Sequence, residues 1–370
     1  MDVELLEQTS LSIATHAFSG KELKDYPQLL QHLLQVKRAC AWANKQLGIL
    51  SFSDYEKIDA VCEYLAEHKD SFCADVLQGG GGVAVHMNLN EVICQHLEDF
   101  SAIVQVNASQ STTDVCSTAM NLTLATEIQH SVKTLKQLIA ALAQLAQDHQ
   151  DLETRGRTCL RDAGIINYGE RFRGFYYLFK RQERAFTNLE DFAYSNLGAT
   201  ALGTGEGIAV EHRVAYSRLA WERLVELSGM RIRLHSHFID SVQNRDDLYH
   251  LASVVESFAV SLLKMAKDIR LLASGPHWGF NEIQLPPIIK GSSFYANKVN
   301  PTLEETVIQM CFRVLGLVKS CKLGIEHAEL DMNIYYLHSG ICLIDAMQLL
   351  NQLIPKYVQY NLTELTINRS

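Results

Sequence analysis

One stretch of the sequence, residues 291–301, concentrates polar side chains that could do chemistry. It contains a serine pair that begins at Ser292, a lone Lys298 and Asn300, and it lies just before a long run with apolar periodicity. This mixture is unsuited to a core segment. It predicts a mobile flap that brings a hydroxyl nucleophile or base, a cation and an amide to an anionic substrate. The plainer alternative is a connector rich in Ser and Gly.

Two further polar segments precede long apolar runs. Residues 79–82 are four consecutive glycines before a predicted helix, which could expose backbone N–H groups to an anion, although a simple connector explains them equally well. No Gly-Lys-Ser/Thr follows, so this is not a P-loop. Residues 109–114 form a row of hydroxyls at the start of the longest predicted helix. One helix cap needs one such residue, so carboxylate binding explains the row at least as well as capping by Thr112, Thr113 or Asp114.

A third polar segment, residues 156–163, contains Cys159 ahead of another predicted helix. A lone cysteine among polar residues is more often an inert thiol than a catalyst.

The spacing of apolar residues and the rarity of proline predict long helices. After Pro27 the next proline is Pro276. A set of short separate helices would need more Gly and Pro than the sequence contains. Helices of thirty residues or more are typical of bundles, often completed by other subunits. The apolar periodicity predicts helical segments over residues 24–47, 117–148, 169–195, 207–229, 247–273 and 303–352.

Charge and cysteine usage restrict the partners and the compartment. The net charge of −9 argues against nucleic acid as a partner, because no basic stripe is available for phosphates. No apolar run is long enough to predict a transmembrane helix, and the N-terminus lacks the pattern of a signal peptide. The nine cysteines show no Cys-x-x-Cys spacing, which predicts reduced thiols in the cytoplasm and neither a metal site nor disulfides.

The order of these segments resembles the signature regions of the fumarase/aspartase superfamily, with aspartase the nearest relative. Residues 291–301 are similar to the flap signature G-S-S-x-M-P-x-K-x-N-P, and residues 78–91 to Q-G-G-A-G-T-S-V-N-M-N-x-N-E. Residues 109–114 resemble S-Q-S-T-N-D, and residues 156–163 resemble G-R-T-[HQ]-L-Q-D-A. The resemblance extends over roughly residues 18–335.

The resemblance implies a mostly α fold built on a long helical bundle. It implies a homotetramer with a central twenty-helix bundle, in which each active site takes its three signature regions from three chains. We expect an N-terminal helical domain over residues 1–108 and a central bundle domain over residues 109–355, which includes the flap region 274–301. A short tail, residues 356–370, would then stand where relatives carry a small C-terminal domain, which we expect to be absent.

The reaction implied by the resemblance is a reversible β-elimination that gives fumarate or a related unsaturated acid from a small dicarboxylate, without a cofactor or a metal. Ser292 corresponds to the catalytic base, and Lys298 and Asn300 correspond to the pair that holds the carboxylate whose charge grows. Cys159 stands at a catalytic position, where it could act as a weak acid or shape the pocket. The hydroxyls implied to bind substrate belong to Ser111, Thr112, Thr113 and Thr158.

Departures from the family pattern are concentrated at positions implied to touch the leaving group. Val83 replaces a threonine, Thr113 an asparagine, Cys159 a His or Gln, and His277 an arginine. In the flap, residues 295–297 replace Met-Pro-Gly. Two hypotheses follow: an active lyase with an altered leaving group, or an impaired homologue that serves as a carboxylate-binding or scaffolding protein. Argininosuccinate or adenylosuccinate lyase activity is less favoured, because the first two regions are aspartase-like.

Overall fold

The computed structural model describes residues 7–189, 192–289, 291–295 and 297–368. The described residues are mostly α-helical, as predicted. The helices are α1 (Glu7–His16), α2 (Pro27–Gln46), α3 (Phe52–Leu65), α4 (Val83–Gln95), α5 (Thr112–Asp148), α6 (Tyr168–Thr187), α7 (Arg213–Ser228), α8 (Phe238–Gln243), α9 (Asp246–Leu272), α10 (Thr302–Glu326) and α11 (Tyr336–Tyr357). The longest, α5, has 37 residues.

Six short strands pair two by two. They are β1 (Glu153–Thr158), β2 (Arg161–Asn167), β3 (Tyr194–Ser195), β4 (Arg233–Leu234), β5 (Ile283–Gln284) and β6 (Thr366–Ile367). Strands β1 and β2 form an antiparallel hairpin, β3 and β4 pair in parallel, and β5 pairs antiparallel with β6. The β5–β6 pair ties the last described residues to the segment that leads into the flap.

The predicted helices over residues 24–47, 117–148, 207–229 and 247–273 are confirmed with shifted ends. The prediction over residues 303–352 is wrong in one respect, because residues 327–335 separate α10 from α11. Leu330 there has a φ of 53°, which α-helix does not permit, and the Asn333 amide bonds the Val242 carbonyl at 3.1 Å. The predicted segment 169–195 ends as a helix at Thr187, and residues 190 and 191 lie outside the described part of the chain.

The chain forms two compact units, and α5, α9, α10 and α11 each contribute residues to both. The first unit comprises Met1–Thr126, Asp191–His250 and Ser320–Ile344, and the second comprises Glu127–Glu190, Leu251–Lys319 and Asp345–Ser370. In the first unit, the apolar face of α2 packs against α3 and α7, burying residues such as Leu30, Leu33 and Val36. In the second, Phe179 and Phe186 of α6 pack edge-on against Phe258 of α9. The predicted domain boundaries after residues 108 and 355 stay a prediction.

Helix α9 is long and apolar enough to cross a membrane, judged by length and composition alone. Its most apolar window has a mean hydropathy of 1.2, and 56% of that window is buried within the protein. A single helix with these properties is also typical of the core of a soluble protein.

Buried His32 makes the first unit sensitive to acid. Its Nδ1 lies 2.9 Å from Thr123 Oγ1, its Nε2 lies 3.1 Å from Gln28 Nε2, and burial lowers the pKa of the ring to about 4. Because the folded-state pKa lies below the unfolded value, His32 contributes stability above about pH 6.5 that is lost as the pH falls towards 4. This lowering of the pKa corresponds to at most about 3 kcal/mol in the free energy of unfolding.

We expect His32→Asn to flatten this acid loss of stability. Urea unfolding of the wild type and the variant at pH 7.5 and pH 5 would measure it. Burial raises the pKa values of Asp114 and Glu304 to about 6 and about 7, so these two groups gain stability as the pH falls. The contribution of His32 is therefore the difference in acid dependence between the wild type and the variant. Equal acid dependence in the two proteins would contradict the assignment.

Candidate active site

The glycines of residues 79–82 allow a close approach of two segments in the first unit. Gly81 and Gly82 have φ values of 64° and 88°, and Gly82 caps the start of α4. A Cβ on Gly81 would lie 2.6 Å from Met332 Cε, and one on Gly82 would lie 2.9 Å from Leu337 Cδ2. Met332 and Leu337 would have to shift to admit either Cβ, and the positive φ values favour glycine at both positions. Anion binding by this segment stays a prediction.

The start of α5 is fixed by a buried carboxylate. Asp114 accepts hydrogen bonds from the backbone N–H groups of Ser111 (2.9 Å), Gly198 (3.1 Å) and Thr200 (3.0 Å). Burial raises the pKa of Asp114 to about 6, against the effect of these three N–H donors. The Ser111 Oγ in turn accepts from the Thr113 N–H at 3.4 Å. Ser111 and Asp114 therefore do the capping, and the Thr112 hydroxyl remains available for another role.

Lys37 supports the loop that leads into α5, and sequence reasoning missed it. Its Nζ donates to Asn107 Oδ1 at 3.0 Å and to Gln110 Oε1 at 2.8 Å, and the side chain is fully buried. Burial lowers its pKa to about 8. The available signal was its spacing, because Lys37 lies four residues from Leu33 and four from Ala41, on the apolar face of α2.

The first turns of α4 and α5 meet through two side chains. His86 Nδ1 lies 3.0 Å from Thr112 Oγ1, and His86 is buried, whereas Thr112 is partly exposed. The neighbouring Thr113 hydroxyl contacts Met332 Sδ at 3.5 Å, and its side chain is buried. The three hydroxyl residues predicted to bind substrate from this region, Ser111, Thr112 and Thr113, thus lie together. Thr112 is the one whose hydroxyl is neither buried nor engaged in capping α5.

Thr158 and Cys159 lie at the tip of the β1–β2 hairpin in the second unit. Thr158 pairs with Arg161, and the two residues between them, Cys159 and Leu160, have φ values of 53° and 58°. Positive φ at both corners is the geometry of a type I′ turn, which usually selects Asn and Gly. Both corner side chains are exposed. The turn projects the thiol outward, and its predicted catalytic role stays a prediction.

A single carboxylate clamps this hairpin to the segment that leads into the flap. Glu282 accepts hydrogen bonds from Tyr168 Oη (2.5 Å), Thr154 Oγ1 (3.0 Å) and Arg171 Nη1 (3.3 Å), and it forms an ion pair with Arg157. Burial raises its pKa, but the hydrogen bonds from Tyr168, Arg157 and Thr154 outweigh this and lower it. Arg157 also lies over the Phe280 ring at 4.4 Å. Since Arg157 directly precedes Thr158, the clamp positions the hairpin tip.

We expect Glu282→Gln to lower the free energy of unfolding by about 2 kcal/mol, because it removes the ion pair of half-buried Arg171 and leaves Arg157 only its more distant partner Asp162. Chemical denaturation measures the change. Glu170→Gln is the matched control, because it removes an exposed ion pair with Arg173 that is worth at most about 0.5 kcal/mol. Equal effects of the two substitutions would show that Glu282 is not a clamp.

The flap residues adjoin a large cavity in the second unit. A cavity of about 1310 Å³ is lined by Lys298 and Asn300, together with Arg270, His277 and Glu305. Ser292, Thr158 and Cys159 are not among the described residues that line it. The structure therefore brings the predicted carboxylate-holding pair together with an arginine and a histidine, and it places the predicted base elsewhere on the flap. Lys290 and the substituted flap residue Ala296 lie outside the described residues.

Ser292 is held by the backbone of the flap itself. Its Oγ accepts hydrogen bonds from the N–H groups of Phe294 and Tyr295, both at 3.0 Å. The side chain is half-buried, whereas the Phe294 and Tyr295 rings that follow are exposed. Two N–H donors on one hydroxyl oxygen favour its negatively charged form.

No group of three or more His, Cys, Asp or Glu side chains within the described ranges is arranged to hold a metal ion. The Asp331 carboxylate, in the segment between α10 and α11, accepts a hydrogen bond from Gln243 Nε2 at 3.3 Å.

Comparison with known proteins places the chain in a family. The family model described as "Lyase" matches residues 6–316. The aspartate ammonia-lyase of Escherichia coli (strain K12) is 31% identical over 375 residues, which cover 97% of this chain and 77% of that protein. The chain belongs to the fumarase/aspartase superfamily of lyases. The aspartate ammonia-lyase of Pseudomonas aeruginosa is 32% identical over 376 residues, with 98% of this chain and 78% of that protein covered.

Solved structures of superfamily members share the fold. The crystal structure of a fumarate lyase:delta crystallin from Brucella melitensis bound to cobalt superimposes with a TM-score of 0.92 and 30% identity, covering 100% of this chain and 82% of that one. A class II fumarase from Schistosoma mansoni gives a TM-score of 0.90 at 22% identity, covering 100% of this chain and 83% of that one. The mostly α superfamily fold is therefore confirmed, and the chain is a lyase of the ammonia-lyase type.

Proposed function

We propose that the protein catalyses a reversible β-elimination from an aspartate-like or succinyl dicarboxylate, with Ser292 as the base. Ser292 takes a proton from the carbon next to one substrate carboxylate, and the electron pair moves into that carboxylate to give a dianionic aci-carboxylate. The pair then returns to form the carbon–carbon double bond as the C–N or C–O bond breaks and the leaving group departs. The product is fumarate or a related unsaturated acid.

The observation that carries this proposal is the pair of backbone N–H groups on Ser292 Oγ. A serine hydroxyl is a weak base unless its alkoxide is stabilised, and these donors favour the alkoxide without placing a competing proton acceptor nearby. Lys298 and Asn300 line one cavity with Arg270 and His277, and although Glu305 lies on the same wall paired with Arg270, the Lys298 ammonium and the N–H donors of Asn300 suit a substrate carboxylate.

The residues that differ from the family pattern bear on which leaving group the substrate carries. Val83 and Cys159 replace polar family residues, and both are exposed, whereas Thr113 is buried against Met332. Losing hydrogen bonds to a substrate amine typically costs about 1–3 kcal/mol each, so we expect ordinary aspartate to be a poor substrate. A substrate with a less polar or larger leaving group suits these positions better.

The test is the absorbance of the unsaturated product while purified protein is offered aspartate, malate, argininosuccinate and N-substituted or nitro-substituted succinates. Product formation with one member of this panel supports the proposal and identifies the leaving group. If no member of the panel gives product, but succinate or fumarate raises the melting temperature, the result would favour a carboxylate-binding homologue that no longer catalyses the reaction. The burial of Thr113 is the observation that favours this second candidate.

We propose further that the enzyme is a homotetramer in the cytoplasm, with each site shared between subunits. Exposed apolar side chains on long helices, such as Tyr177 of α6, Val260 of α9 and Phe312 of α10, suit burial against other copies of the chain. All nine cysteines are free, as expected in a reducing compartment. A small dicarboxylate is the partner we expect, and neither nucleic acid nor membrane.

Sharing of sites predicts complementation between inactive variants. We expect Ser292→Ala and the double variant Ser111→Ala/Thr112→Val to be inactive separately. After they are unfolded together and refolded as a mixture, about a quarter of the sites should combine intact regions from different chains and regain activity. Each variant refolded alone is the control. A mixture as inactive as its components would indicate that each site is built from one chain.

A further inference from the structure

The unassigned polar group nearest to the predicted substrate hydroxyls is the imidazole of His86. It lies in the first turn of α4, it is 1% exposed, and its Nδ1 is 3.0 Å from Thr112 Oγ1. Its other nitrogen, Nε2, is buried with no hydrogen-bond partner among the described residues. The family signature has asparagine at this position, so the histidine departs from that signature.

Burial keeps this histidine neutral. Desolvation lowers the pKa of His86 well below its usual range, and the charge of buried Lys37 lowers it further. A neutral imidazole carries one N–H donor and one acceptor nitrogen, so two arrangements are possible at Thr112. Either His86 Nδ1–H donates to Thr112 Oγ1, or the Thr112 hydroxyl donates to a bare Nδ1.

The unpartnered Nε2 distinguishes the two arrangements. If the proton were on Nε2, a buried N–H donor would have no acceptor, which is rare and costly in folded proteins. If the proton is on Nδ1, the orphan is only an acceptor lone pair, which costs less. The Nδ1–H form also satisfies one lone pair of Thr112 Oγ1 and leaves the Thr112 O–H free to point outward.

We infer that His86 is a positioning residue that donates its Nδ1–H to Thr112 Oγ1 and thereby holds the Thr112 hydroxyl as a donor to a substrate carboxylate. This inference rests on the proposed function for the identity of the ligand. The hydrogen bond itself does not depend on a ligand. A threonine hydroxyl has one proton, so a partner that accepted it would remove the donor from the site. His86 supplies the opposite polarity from a buried, fixed position.

The first arm of the test is the protonation pattern of the ring in the ligand-free wild type. Nitrogen NMR of protein labelled with ¹⁵N-histidine distinguishes the two neutral tautomers, and His86→Asn identifies the His86 signals by their absence. We expect the Nδ1–H form at neutral pH, with a signal that moves in Thr112→Val. An Nε2–H form, or a signal indifferent to Thr112→Val, would overturn the inference whether or not the protein is a lyase.

The second arm is a double-mutant cycle read by succinate binding in calorimetry. Leucine and asparagine have similar shapes, but only asparagine can donate from the position of Nδ1. We expect His86→Leu to weaken succinate binding about tenfold, the scale of one hydrogen bond, and His86→Asn to preserve most of the affinity. In a Thr112→Val background we expect His86→Leu to have less than about a twofold further effect.

The outcomes separate the two proposals. Equal losses from His86→Leu in both backgrounds would show a general packing effect and overturn the positioning role. If the wild type binds no dicarboxylate while the Nδ1–H bond to Thr112 is present, the proposed function fails and the hydrogen bond stands. Melting temperatures of all variants, measured alongside, identify any loss that comes from unfolding.

Discussion

Ser292→Ala is expected to lower kcat by about 10²–10⁴-fold on the substrate found in the panel, with little change in KM. The substitution removes the only atom of the side chain that can accept the proton, but it leaves Lys298 and Asn300 to hold the carboxylate. The backbone N–H groups of Phe294 and Tyr295, which donate hydrogen bonds to Ser292 Oγ, would donate to water instead. Steady-state kinetics followed by product absorbance gives both constants.

Ser293→Ala is the matched control for this prediction. It removes a hydroxyl from the adjacent, exposed position of the same flap. We expect it to change kcat by less than about tenfold, since a surface hydroxyl outside the site contributes little. If the two variants lose activity equally, the loss comes from flap conformation, and Ser292 is not the base. If neither loses activity, another group removes the proton.

Lys298→Met is expected to lower kcat by about 10²–10³-fold, because it removes the cation beside a carboxylate that gains a full negative charge during the reaction. The lysine meets a single charge in the ground state and two charges in the aci-carboxylate, so the loss should appear more in kcat than in KM. Its position on the cavity wall, with Asn300 and Arg270, is the structural basis.

Lys264→Met is the control for loss of a surface positive charge. Lys264 is exposed, paired with Asp268 and not among the described residues that line the cavity of Lys298. We expect its kinetics to resemble the wild type. A loss confined to KM in Lys298→Met would show that the lysine binds ground state and transition state equally. No difference between the two variants would remove Lys298 from the mechanism.

The sequence by itself determined the helical class and predicted which segments carry the chemistry. Apolar spacing predicted α2, α5 and α9 within a few residues of their ends, because the period of 3.6 is a local property of each helix. It also drew attention to the flap, since a lysine, an asparagine and two serines cannot be buried cheaply together. Sequence reasoning missed the break between α10 and α11. This break depends on the hydrogen bond from the Asn333 backbone N–H to the Val242 carbonyl, a partner about ninety residues away in the chain.

Only the tertiary structure decided how the polar residues are used. Sequence left Thr112, Thr113 and Asp114 as alternative caps or ligands. The fold assigned Asp114 to Gly198 and Thr200, turned Thr113 towards Met332 and left Thr112 beside His86. Sequence reasoning also assigned no supporting role to Lys37 or Glu282, and their partners became visible only in the fold. The physical reason is that a hydrogen bond depends on distance and burial, and residues far apart in the chain acquire both only when the helices pack.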